Sequence, residues 1–79
     1  MDDTRANERN IYYIMTTNIA KNLKSLRKAK KMSQKKVSML TGITRSSLSG
    51  YENNVAEPPL CIVVKLADFY NTPIDFLIR

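Results

Sequence analysis

Seventy-nine residues, 43% of them hydrophobic, make one domain with a single modest core. Thirteen Lys and Arg against seven Asp and Glu leave a net charge of +6, with one cysteine and no histidine. This composition excludes an intrachain disulfide, and it offers no set of side chains from which a metal site or an acid–base or nucleophilic centre is readily assembled. The expectation is therefore a protein that is not an enzyme and carries no cofactor and no metal. No window approaches the run of about 20 apolar residues that a membrane helix needs, and the N-terminus lacks a charged-then-apolar signal, so a cytoplasmic protein is expected. The charges are unevenly placed. No acidic residue lies between Arg9 and Tyr51, where Lys21, Lys24, Arg27, Lys28, Lys30, Lys31, Lys35, Lys36 and Arg45 crowd together. One part of the surface should be strongly positive and suited to a polyanion.

The chain divides into an N-terminal extension, residues 1–17, and a helical domain, residues 18–79. Met1 to Asn10 is polar and charged. Ile11-Tyr12-Tyr13-Ile14-Met15 joins β-favouring residues to a helical stripe of Tyr12, Met15, Ile19, Leu23 and Leu26. Two forms stay open: two extra turns on the first helix, or a separate packing or dimerisation element with Thr17 or Asn18 as the helix cap. An arm carrying Arg5 and Arg9 to DNA is a third option. Asn18 to Lys30 then reads as a helix burying Ile19, Leu23 and Leu26, with Lys21, Lys24 and Lys28 along a solvated face.

Ser33 can accept a hydrogen bond from the free amides of a new helix, in which Val37, Leu40 and Thr41 share a face. Gly42 can leave that helix in the left-handed conformation, and Ile43 follows as an apolar plug. Thr44 caps a second helix, about Arg45 to Asn53, with Leu48 and Tyr51 three apart. Two short helices joined by a glycine-bearing turn make a helix-turn-helix, whose second helix can enter a DNA major groove. Pro58-Pro59 starts the next helix, with Leu60, Val63, Val64, Leu66 and Ala67 as core and Cys61 as a buried spectator. Asn71 ends it, and Thr72-Pro73 caps and opens a last turn with Ile74, Phe76, Leu77 and Ile78.

Ser33-Gln34, Gly42-Ile43-Thr44 and Glu52-Asn53 fall in register with Leu26-Arg27, Pro58, Leu66-Ala67 and Ile74-Asp75. On these residues the chain, from about Asn18 to Ile78, resembles the helix-turn-helix family of the phage lambda repressor and Cro. The resemblance implies a compact all-α, five-helix, lambda-repressor-like DNA-binding domain. It also implies that Arg27 and Glu52 form a structural ion pair behind the motif, that Asn53 holds backbone phosphate, and that the link Lys30-Lys31-Met32 runs close to the DNA backbone. Phosphate roles for Lys31, Lys35 and Lys36 follow. Family dimers commonly form through the C-terminal region, which makes Phe76 and Ile78 interface candidates, with Phe69 or Tyr70 beside them; Leu77 is expected to cap the core.

Physical chemistry assigns the rest of the surface. Gln34 opens a helix whose dipole and free amides favour a phosphate. Arg45 leads the second helix, where its fork can take O6 and N7 of guanine together, the alternative being a nonspecific phosphate clamp. Ser46 and Ser49 read bases more weakly, while Thr44 and Ser47 are placed for phosphate. Gly50 stands where relatives often carry a long base-reading side chain, and it offers only close approach. The loop Asn54-Val55-Ala56-Glu57 lacks the basic residues common there. The expected function is a transcriptional regulator, with repression as its sign, that binds an operator on double-stranded DNA as a homodimer at a near-palindromic site. Alternatives are a protein-interaction module such as an antitoxin or antirepressor, and a sequence-neutral nucleic-acid binder, RNA included. A membrane-surface helix is poorly supported, because the core already claims the apolar residues it would need.

Overall fold

The computed structural model describes residues 17–79, and five helices succeed one another there: α1 (17–29), α2 (Gln34–Thr41), α3 (Arg45–Glu52), α4 (Leu60–Phe69) and α5 (Ile74–Leu77). The expectations for Ile11–Met15 and for an arm with Arg5 and Arg9 lie outside the described residues. Thr17 and Asn18 are both helical, so neither has the extended backbone expected of a cap.

The helix ends follow from local chemistry. The Ser33 hydroxyl accepts the Lys36 amide at 3.0 Å and caps α2. Gly42 leaves α2 at φ 78°, with its N–H donating to the Ser38 carbonyl at 2.9 Å. Thr41 secures the turn: its hydroxyl donates to the Val37 carbonyl and accepts the Ile43 amide. Thr44 caps α3 by accepting the Ser47 amide at 3.2 Å. Lys31, Asn54 and Asn71 occupy the left-handed region at φ 57°, 57° and 53°, each just beyond a helix. At the start of α5 the cap position belongs to Pro73 and no side chain caps the helix, so the capping expected of Thr72 is not made. Instead the Thr72 amide closes back on the Ala67 carbonyl at 2.9 Å.

The core gathers Ile19 and Leu23 from α1, Val37 from α2, Ile43 from the turn, Leu48 from α3, Val63, Leu66 and Ala67 from α4, Tyr70, and Leu77 from α5. Leu26, Met32, Tyr51, Ile62, Phe69 and Ile78 pack against it in part. Three expectations need correction. Leu60 and Val64 are exposed, and so is Cys61, because the inward arc of α4 is the one carrying Val63, Leu66 and Ala67. Tyr70 is core and leaves no surface for an interface. Asn22, by contrast, ties α5 to α1, since its amide donates to the carbonyls of Phe76 and Leu77 at 3.2 and 2.8 Å. No helix among the described residues is long and apolar enough to cross a membrane.

Candidate nucleic-acid interface

The placement of α3 depends on one carboxylate. Glu52, at the end of α3, is buried, and Arg27 of α1 meets it with Nε at 2.8 Å from Oε2 and Nη2 at 3.0 Å from Oε1. The remaining arm of the guanidinium donates to the Met32 carbonyl at 2.9 Å, so Arg27 also fixes the link between α1 and α2. Its hydrogen bonds to Glu52 raise the Arg27 pKa above the ordinary value, against the lowering effect of burial. Gln34 completes the set by donating from Nε2 to Glu52 Oε1 at 3.2 Å. Three helices thus converge on one buried acid whose charge is compensated.

This network changes what Gln34 can offer. Its side-chain amide is turned inward, while the backbone N–H groups of Gln34 and Lys35 precede the first hydrogen bonds of α2, which are made by Lys36 and Val37. Any anion at this end of α2 meets those amides first. Lys35 and Lys36 stand exposed beside them.

Arg45 and Ser46 are exposed at the start of α3, and Ser49 is partly exposed one turn later. Thr44 and Ser47 share a hydrogen bond of 2.9 Å between their hydroxyls, which engages one of the two hydroxyl protons and leaves the other for an acceptor. Asn53 follows α3 and donates to the Ser49 hydroxyl at 3.2 Å, with its second N–H in reserve. Gly50 lies against the loop that follows α3. A Cβ built there would lie 3.4 Å from the Ala56 Cβ, and its carbonyl accepts both the Val55 and Ala56 amides, at 2.9 and 3.2 Å. The side on which a Cβ would stand therefore faces the following loop, at ordinary van der Waals distance from Ala56. That loop is pinned again where Asn54 Nδ2 donates to the Thr17 hydroxyl at 3.2 Å.

Lys21, Lys28, Lys30, Lys31, Lys35, Lys36 and Arg45 are all exposed, and Lys24 partly so. The ion pairs among the described residues are Arg27–Glu52 and Arg79–Asp75, so none of these cations is neutralised by a described acid. The described surface of α1, α2 and the start of α3 is therefore rich in exposed cations. Phe76 is 52% exposed on α5, whereas Ile78 packs partly against the core. Asn22 and Gly50 hold roles that the sequence does not announce; only the absence of a Cβ at Gly50 hints at the second.

Comparison with known proteins agrees with this geometry. A helix-turn-helix family model matches residues 23–77. Over 56 residues, 71% of the chain and 50% of the relative, the sequence is 38% identical to the uncharacterized HTH-type transcriptional regulator YobD of Bacillus subtilis (strain 168). Over 60 residues, 76% of the chain and 52% of the relative, it is 30% identical to a second such regulator of that organism, YqaE. The chain thus spans about half the length of the curated relatives it matches. No solved structure matches it. With five helices in the expected order, a braced second motif helix and a family match over most of its length, the chain belongs to the helix-turn-helix family.

Proposed function

We propose that this chain is a sequence-specific regulator of transcription that binds double-stranded DNA as a homodimer and acts as a repressor. The observation that carries the reading is the exposed start of α3, with Arg45 and Ser46 outermost, held beside the open amides of α2 in a motif whose exposed cations pair with no described acid. In this reading Arg45, Ser46 and Ser49 meet base edges. The Gln34 and Lys35 backbone amides, the Lys35 side chain, Thr44, Ser47 and Asn53 meet phosphate. Two copies joined through Phe76, with Ile78 at the margin, would set their α3 helices about 34 Å apart, one DNA turn. With Arg45 as the one long side chain at the start of α3, base readout is narrow, and DNA shape and electrostatics supply the remainder of the affinity.

The test is selection from random duplex DNA by the purified protein, followed by binding of the recovered sequence at several salt concentrations. Recovery of a near-palindrome with half-sites about 10 base pairs apart supports the reading. Weak, salt-sensitive binding with no enriched sequence overturns it in favour of sequence-neutral binding. A second reading, an interaction module for a protein such as an antirepressor, draws on the exposed apolar Leu60, Val64 and Phe76. Absence of any DNA binding is the result that would favour it.

A further inference from the structure

The motif leaves Lys21, Lys24 and Lys28 unexplained. On α1 they follow Thr17 at steps of four, three and four residues, which aligns all four along one side of the helix. Asn22, bonded to α5, and the buried Ile19 and Leu23 point elsewhere. Both ends of the lysine line run into the motif. At one end the Thr17 hydroxyl accepts Asn54 Nδ2, and Asn54 lies in the loop just past α3. At the other the Lys28 carbonyl accepts the Lys31 amide at 2.9 Å, and left-handed Lys31 turns the chain directly toward Ser33 and the start of α2. No described acid pairs with any of these lysines.

We propose that Lys21, Lys24 and Lys28 form a second phosphate-binding ridge, which engages the backbone of the same DNA duplex outside the base pairs that α3 reads. This rests on the reading of the chain as a DNA-binding protein. From Lys21 to Lys28 the helix rises about 10 Å, the rise of about three successive phosphates on one strand. The complementary surface is therefore a regular anionic line. Continuity with the motif at Asn54 and at Lys31 makes that line the flank of the bound duplex; a separate acidic protein would need no such connection. Exposed, in part at Lys24, and paired with no described acid, the ridge can contribute affinity without sequence preference.

The test compares the wild-type protein, the triple variant Lys21→Gln/Lys24→Gln/Lys28→Gln, and a control, Lys65→Gln on α4. Each is titrated across salt concentrations on a long duplex bearing the selected operator, on a long duplex of arbitrary sequence, and on the operator trimmed to its outermost base pair. The ridge predicts that the triple variant loses up to about 2.7 from the slope of log K against log salt on both long duplexes, at about 0.9 per phosphate. It also predicts that the control loses nothing and that trimming removes the difference from wild type. An unchanged slope on the long duplexes overturns the ridge, as does a loss that persists in full on the trimmed duplex. A slope loss without any operator preference in the wild type would retain the ridge and refute sequence-specific regulation. Preference with an unchanged slope would do the reverse. Binding of the wild type to an acidic protein but to no duplex would overturn both.

Discussion

The side-chain amide of Asn22 reaches the carbonyl of Leu77 at 2.8 Å, across 55 positions of sequence. The Leu77 carbonyl has no backbone donor among the described residues, so α1 supplies one, while the Phe76 carbonyl also accepts the Arg79 amide at 3.3 Å; Leu77 is fully buried and Phe76 faces out. Replacing Asn22 by Leu should cost about 1–2 kcal/mol, because the Leu77 carbonyl loses its described partner while the Phe76 carbonyl keeps only the Arg79 amide. Urea unfolding measures the loss, and amide exchange should show it as faster opening of α5. Exchange in α5 no faster than in the wild type would show that Leu77 packing alone holds the helix.

Arg27→Ala should destabilise the fold by about 3–5 kcal/mol, since it leaves the buried Glu52 carboxylate without its cation. The double change Arg27→Met with Glu52→Leu should recover much of that loss, because no charge then stays buried. Chemical denaturation of the three proteins decides the matter; equal stability of Arg27→Ala and wild type would remove the pair from its bracing role.

Tyr70 is buried, and its hydroxyl has no hydrogen-bond partner among the described residues. Burial, aided by the Glu52 charge, pushes its pKa up from 10.0 to about 12. Below pH 10 the phenol is neutral in both the folded and unfolded chain, and the contribution of this shift to stability is present in full. Between pH 10 and about 12 the unfolded chain releases the proton and the folded one does not, so stability should fall as pH rises. Tyr70→Phe should abolish this part of the decline. At neutral pH it should also stabilise by about 1 kcal/mol or more, because an unpaired polar atom leaves the interior. Thermal melts of both proteins from pH 7 to 12 test both effects.

Two residues with positive φ should respond in opposite directions. Lys31→Gly relieves a side chain held at φ 57° and should stabilise by up to about 1 kcal/mol, whereas Gly42→Ala imposes that strain at φ 78° and should cost about 1–2 kcal/mol. Melting temperatures that move together would contradict the backbone account.

Arg45→Ala should leave the melting curve unchanged, as the residue is exposed and makes no ion pair with a described acid. Discrimination between the selected operator and its variants should fall by about 1–3 kcal/mol at one base position. Competition binding at fixed salt reads this directly. Full retention of discrimination would shift base reading away from Arg45.

Signals confined to a few residues are legible in the sequence. Ser33, Gly42 and Thr44 each act within four positions of themselves, and each stands where its chemistry places it. The order of helices and the motif are readable for the same reason. What stays hidden needs the third dimension. In α4 the apolar residues occupy more than one face, and composition alone does not say that Val63, Leu66 and Ala67 turn inward while Leu60 and Val64 do not. Cys61 misleads in the same way: its neighbours in sequence are apolar, but it lies off the buried arc of the helix. Asn22 carries no local signature, since its partners lie at the far end of the chain. Gln34 is legible as a helix opener but not as a ligand of Glu52, 18 residues away.

Because Glu52 is gripped by both Arg27 and Gln34, the opening of α2 and the closing turn of α3 are fastened to the same two oxygen atoms. The gap between the open amides of α2 and Arg45, which in the proposed reading face phosphate and groove, is then a fixed gauge. A duplex docking against both must match that gauge, and where its groove width differs it is the nucleic acid that has to yield. Sequences that bend or narrow easily would be favoured even at base pairs no side chain reaches.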